Sequence, residues 1–398
     1  MKKPVFILFI LFLCLCLPAG AEQFFYKYET GNKYRVVSVV NEDVYINRRF
    51  SHRARILNRS AVEIGEVTGD SAGYKANFQT AEQIVEGGGS FQWSMEYDSV
   101  FQQDKFGRMT IDDRYYMPVV RNVPVFPDRD LKEGEVWTAE GHETHDFRTS
   151  FGIEEPYRIP FEANYVFLGN RTWKGKSYPA FSVSYRIFYE PRAVPGKVWP
   201  RRIMGASDQV VYWDTELGQA AAYDETFRMV FELSSGSTVE YRGRAEAEII
   251  EAEIMKKEEV AREIADEIAK RGIDDASVRI VDEGVTISLE NIQFQPDSAV
   301  LLESEKTKLD KIGEILRMYP GRDILVGGHT ALAGTAAGRQ RLSMERAAAV
   351  SDYLISKNVR DPSQVVARGY GADRPVADNG TAEGMRKNRR VEIILLEN

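Results

Sequence analysis

Cysteine is almost absent from this chain. Cys14 and Cys16 are the only 2 in 398 residues, and both lie in a leading apolar stretch. Everything after that stretch is therefore without disulfides or thiol chemistry. Histidine is scarce too, with 4. His142 and His145 stand three apart, whereas two ligands share a helix face at spacing four and a strand face at spacing two. His142-Glu-Thr-His145 is therefore expected to be a polar loop, and no metal site is assigned. His52 stands among arginines with no nucleophile or acid arranged around it. A phosphate-cradling glycine loop and a dinucleotide fingerprint are both missing. An excess of basic charge is missing as well: the net charge is −8, which argues against nucleic acid as a partner. After residue 17 no apolar run approaches the about 20 residues a bilayer requires. The strands that follow are too irregular and charged to read as a membrane barrel. These absences point away from an enzyme, imply no cofactor, and leave a binding or structural protein.

What is present begins with a secretory signal. Lys2 and Lys3 form its charged start, Val5 to Leu17 its apolar stretch, and Ala19-Gly20-Ala21 a small-residue cleavage site. Residues 1–21 are thus expected to be removed and the rest exported. Losing the two lysines takes the net charge from −8 to −10. Lipidation at either cysteine is disfavoured, because Leu13 and Leu15 stand where a small residue is wanted. Residues 22–244 read as β-structure. Phe181, Val183, Tyr185 and Ile187 alternate with polar residues at the period of two. Similar runs recur at Tyr34–Val40, Ala61–Val67, Phe91–Tyr97, Phe161–Leu168, Gln209–Trp213 and Thr226–Leu233. Turn signals separate them, among them Glu86-Gly-Gly-Gly89, Asp104–Gly107, Lys174-Gly175 and Trp213–Gly218. Strands at this rhythm, with no helices between, predict an antiparallel β-sandwich or barrel. All five tryptophans fall here and are expected to pack in the sheet rather than to line a cleft. The proline-rich stretch Pro118 to Pro127 reads as a surface connection.

From Ala245 to Arg271 the composition turns to Ala, Glu and Lys. Ile250, Ile254, Ile264 and Ile268 keep a stripe, and Glu253/Lys257, Glu258/Arg262 and Asp266/Lys270 stand at i,i+4. One amphipathic helical linker over 245–272 is expected, stopped by Gly272 and packed partly on a neighbouring domain.

Residues 273–398 form the last unit. Val278–Val281 and Val285–Leu289 predict a hairpin, Ser298–Met318 a helix with Leu302, Leu309, Ile312 and Leu316 inward. A strand to His329, a helix to Ser356, and strands Gln364–Gly369 and Arg390–Leu396 complete a β-α-β-α-β order. The stretch Gly327-Gly328-His329-Thr330 through Leu354 is the centre of this unit. A strand ends there in a small-residue turn, and a helix begins whose N–H groups and dipole suit a carboxylate. Arg346, further along that helix, adds a bidentate clamp for such an anion.

The segments GGHT, LSMERAAAVSDYL, RGYGADRP and NRRVEI, in that order and spacing, resemble the OmpA C-terminal-like domain, which anchors envelope proteins to the cell wall. The resemblance covers Asp275 to Asn398. It implies a non-enzymatic protein in the periplasm, associated with the wall or outer membrane. It also implies a pocket for the diaminopimelate end of a peptidoglycan stem peptide, built around His329, Thr330, Arg346, Asn388 and Arg390. The β-rich part would then meet an unidentified envelope protein. Three positions depart from the family pattern. Ala331 stands where an aspartate would take the ligand's ammonium, and Arg339 replaces an asparagine. Met385 also replaces an arginine of the family. The resemblance therefore implies either altered ligand choice or an interaction scaffold that has lost the wall.

Overall fold

The computed structural model describes residues 21–84, 89–251, 255–290, 292, 294–295 and 298–397. The expected signal, apart from Ala21, falls outside them, as do most of the Glu86–Gly89 turn and Ile254. The described part opens with long strands: β1 (Lys33–Ile46), β2 (Arg49–Thr68), β3 (Ser71–Ile84) and β4 (Phe91–Asp104), followed by the short β5 (Met109–Ile111) and β6 (Val120–Arg121). Next come β7 (Val136–Phe147), the one-turn α1 (Arg148–Phe151), β8 (Ile153–Trp173), β9 (Lys176–Tyr189), β10 (Pro200–Asp214), β11 (Gln219–Leu233) and β12 (Thr238–Glu251). All pair antiparallel with sequence neighbours, and β1 also pairs with β12. The result is one long curled sheet. Its far edges approach each other, since Tyr97 on β4 donates to Asp146 on β7 at 2.9 Å.

Alternation builds this sheet as expected. Phe181, Val183, Tyr185 and Ile187 are all buried on one face of β9. The His142–His145 segment, however, is strand rather than loop, lying within β7. The period of two turns Glu143 and His145 to one side, 2.7 Å apart, and His142 to the other. The Pro118–Pro127 stretch is not a surface connection either. Val125 and Phe126 are buried, Phe126 in a cluster with Phe24, Leu131, Phe167, Phe181 and Trp213. Apolar residues between prolines found core space because the curled sheet leaves room at its edge.

The predicted 245–271 helix is two elements. The chain stays extended through Glu251, and the helix α2 occupies only Lys257–Lys270. In β12 the small Ala245 and Ala247 are buried between hydrogen-bonded neighbours β1 and β11. Helix propensity favours Ala and Glu by only tenths of a kcal/mol per residue, and two flanking strands outweigh that. The second half does pack as expected: Ile264 and Ile268 enter the C-terminal core.

The C-terminal unit contains β13 (Ala276–Val281), β14 (Gly284–Glu290), α3 (Glu303–Leu316), β15 (Ile324–Gly328), α4 (Ala336–Ser356), β16 (Val365–Gly369), α5 (Ala382–Asn388) and β17 (Arg390–Leu396). Its sheet runs β13–β14–β17–β15–β16, with only β15 and β16 parallel. Helix α3 begins later than expected, at Glu303, and α5 was not foreseen. One face of the sheet carries Val285, Ile287, Val326 and Ile393 against α2, α3 and α4. The opposite face carries Leu325, Val366 and Ile394, and these pack on Leu57, Ala81 and Phe91 of the N-terminal sheet. The middle strands are therefore apolar on both sides, as in Ile324-Leu325-Val326 and Ile393-Ile394-Leu395. A short parallel pairing, Val366 to Phe91 and Ala367 to Gln92, extends one sheet into the other.

Candidate functional site

Two close approaches shape the turn after β15. A methyl group on Gly328 would overlap the Ser343 carbonyl, and one on Gly369 would lie 2.7 Å from Ser343 Oγ. Glycine at both strand ends thus lets α4 descend onto them. Ser343 Oγ in turn accepts from Gly371 N–H at 2.9 Å. The start of α4 is capped by Thr335, whose hydroxyl accepts from Gly338 N–H at 3.1 Å.

His329, Thr330 and Ala331 follow β15 and are all buried; Ala331 is 5% exposed. Their backbone is pinned from two sides. His329 N–H donates to the Arg390 carbonyl at 3.0 Å, and Thr330 N–H donates to the Gly371 carbonyl at 2.8 Å. The His329 ring stacks on Tyr370 with centroids 5.0 Å apart, and its Nε2 lies 3.3 Å from Glu392 Oε2. Burial holds this imidazole below its usual range, so it is neutral near pH 7. Arg390 donates from Nε to Glu392 Oε1 at 2.7 Å and from Nη2 to the Arg374 carbonyl at 3.1 Å. Arg279 also pairs with Glu392. Burial alone would raise the Glu392 carboxyl, but His329 and Arg390 overcome it and bring it down to about 2. Arg390 and Glu392 form a charged pair beneath the turn, with the neutral His329 ring packed beside it.

Asn388 is a second support. From the end of α5 its Oδ1 accepts from Val376 and Ala377 N–H at 2.8 and 3.0 Å. Its Nδ2 donates to Asn379 Oδ1 at 2.9 Å, and Asn379 Oδ1 also accepts from Leu332 N–H at 3.1 Å. One asparagine therefore links the 376–379 loop to the turn.

The two remaining arginines rise on α4. Arg339 donates from Nη1 to the Gly334 carbonyl at 2.6 Å, which places a positive charge against the turn. Arg346, seven residues or two turns further on, stands about 10 Å along the axis. It is half-buried, with its guanidinium 4.9 Å from the Phe294 ring centroid. The structure thus gathers His329, Thr330, Ala331, Asn388 and Arg390 at the ends of β15 and β17, with Arg339 at the turn and Arg346 beside Phe294. Sequence reading missed Tyr370, Asn379 and Glu392. Two of these lie inside the quoted RGYG and NRRVEI segments, but nothing in the spacing marks them as supports.

The C-terminal unit is thus a mixed sheet with helices on one face and a pinned, glycine-built turn at its strand ends. Residues 293–389 match the model of the OmpA family, and this segment is an OmpA-family domain. Outer membrane porin F of Pseudomonas aeruginosa is 40% identical over 112 residues, covering 28% of this chain and 32% of the porin. Outer membrane protein A of Bordetella avium is 39% identical over 100 residues, 25% of this chain and 51% of its own. The peptidoglycan-binding protein ArfA of Mycobacterium tuberculosis is 34% identical over 104 residues, 26% and 32% respectively. Among solved structures, an outer membrane protein from Borrelia burgdorferi B31 shares 33% identity, covering 30% of this chain and 96% of that one, with a TM-score of 0.26. The chain spans about a third to a half of the length of the curated relatives it matches.

Proposed function

We propose that this chain is a non-enzymatic envelope protein that holds peptidoglycan non-covalently through its OmpA-like domain, with a pocket retuned toward carboxylate. We place it in the periplasm after export, against the wall or outer membrane, with the N-terminal sheet as a closed, barrel-like body that meets another envelope component. The observation that carries the reading is the pinned turn before α4 within a matched OmpA segment, with Arg346 at the clamp position of LSMERA. The helix start supplies N–H groups to an anion, and Arg346 supplies a planar cation. Ala331 offers no charge to an ammonium, and Arg339, bonded to the turn, repels one. Losing a charge-assisted hydrogen bond costs about 1.5–3 kcal/mol, or roughly ten- to a hundredfold in affinity.

The test is titration of the full mature chain with stem peptides that contain or lack diaminopimelate. Binding is expected to fall at least about tenfold in Arg346→Ala and to rise in Ala331→Asp for diaminopimelate peptides. A parent that binds no peptide, beside an Ala331→Asp variant that does, overturns wall binding. Ala331 and Arg339 favour a second reading, a protein–protein scaffold that no longer holds wall. Loss of wall co-sedimentation in Arg346→Ala would exclude it.

A further inference from the structure

The hairpin joining β1 to β2 projects from the N-terminal sheet. Beyond Ala54, which pairs with Ile84, no described residue pairs with β2 on its outer side, and Arg49–Arg53 extend past the described end of β3. The turn between Ile46 and Arg49 has both central residues, Asn47 and Arg48, at positive φ, 50° and 65°. That is the conformation in which glycine is preferred at the second position. An arginine held there is strained, and such strain persists where a side chain is needed for something other than the turn. The turn is also held in place: Asn47 N–H donates to the Thr238 carbonyl, and Thr238 N–H to Asn47 Oδ1, both at 2.9 Å.

The tip shows apolar side chains and cations together. Ile46 is 46% and Phe50 50% exposed, the latter edge-on to Tyr45. Arg48 and Arg49 are exposed and have no carboxylate within ion-pair reach among the described residues, whereas Arg53 is paired with Asp43. Between Ile46 and Arg53 there is no acidic residue. The neighbouring β9–β10 loop continues the pattern: Lys197 and Val198 are exposed, and Trp199 is tied to Ser234 of the β11–β12 tip. Nearby carboxylates are mostly engaged, Glu190 and Glu232 by Arg202. Glu154 and Glu155 at the start of β8 remain exposed and mark the limit of the cationic area. The OmpA-like domain contacts β1 through Arg35, Val37 and Val39, seven or more residues back from the tip. At the rise of a strand that is roughly 25 Å.

We infer that this hairpin is a docking tip for an anionic lipid surface, with Ile46 and Phe50 entering the headgroup region and Arg48 and Arg49 meeting lipid phosphates. Charge complementarity selects the occupant: paired apolar and unpaired cationic side chains at a rigid tip match an interface that is apolar below and negative above. The inference rests on the N-terminal sheet alone, so it stands or falls separately from wall binding.

The experiment is flotation of the full mature chain with phosphatidylcholine vesicles prepared with and without phosphatidylglycerol. Binding is expected to need phosphatidylglycerol and to weaken with added salt. Arg48→Glu with Arg49→Glu should lose at least about 25-fold, since each basic side chain near such a surface is worth about fivefold. Phe50→Trp should show a blue-shifted emission on vesicle addition. These positions are exposed, and unchanged circular dichroism of each variant separates loss of docking from loss of fold. Equal binding to both vesicle types, or a charge-reversed variant that binds like the parent, overturns the proposal. So does self-association in solution that the same variant abolishes, which would assign the tip to a second copy of the chain. Wall co-sedimentation of the charge-reversed variant should be unchanged.

Discussion

Glu392 sits on β17 between an imidazole and two guanidinium groups, and its charge state ties the turn to the sheet. Its pKa in the folded protein is about 2 against an ordinary 4.5. The stabilisation it brings is therefore complete above pH 4.5 and lost as pH falls toward 2. His329 adds to this at milder acidity. Its folded pKa lies below 6.5, so below that value the unfolded chain takes up a proton that the folded chain resists. Urea stability of the OmpA-like domain is expected to decline steadily below about pH 6.5. Glu392→Gln should cost about 3–5 kcal/mol at neutral pH, because the buried Arg390 guanidinium loses its carboxylate, and should flatten that pH slope. A slope unchanged in the variant would remove Glu392 from this role.

At the scale of elements, the seat of α4 is decided by backbone contact rather than by its apolar stripe. Val350 and Leu354, expected at helical spacing, are buried, and so is Ala347 one turn earlier. The approach of Ser343 to Gly328 and Gly369 is what brings the helix start to the strand ends. Gly328→Ala must push α4 away and is expected to destabilise by about 1–3 kcal/mol, read from denaturant unfolding. It should also weaken any ligand held at the turn. The β12–α2 pair carries the opposite lesson. Alternating Ala and Glu in 245–251 satisfies a helix and a strand about equally, and only the presence of β1 and β11 on either side selects the strand.

Across the whole molecule, the two sheets are joined as one body rather than hung on a spacer. Asp323, buried at the start of β15, takes Arg35 at 2.9 Å and Arg59 at 3.6 Å from the N-terminal sheet. Arg59 also donates to the Ser363 carbonyl at 2.6 Å. Across the same interface Arg368 pairs with Glu96 at 3.2 Å and covers the Trp93 ring at 4.1 Å. Asp323→Ala leaves two guanidiniums in a buried apolar contact without their carboxylate. It is expected to cost about 3–5 kcal/mol and to split calorimetric unfolding into two transitions. A single transition at the parent's temperature would mean that the apolar contact alone holds the sheets together.

Strands β1, β2, β4 and β8 to β11, the main helix–strand order of the C-terminal unit apart from α5, and the turn at Gly327–Ala331 follow from the sequence by itself. Each depends on local periodicity, on glycine at strand ends and on four short segments in fixed spacing. Ala331 and Arg339 were visible as departures without any coordinates. Tertiary structure decided the rest. Val125 and Phe126 became core because a curled sheet left room for them, and 245–251 became strand because two strands flanked it. The unbroken apolar runs at Ile324–Val326 and Ile393–Leu395 show that a sheet is buried on both faces. They do not say by what, because burial is a relation between segments far apart in the chain. The N-terminal sheet supplies that second cover, and only the folded chain could show it.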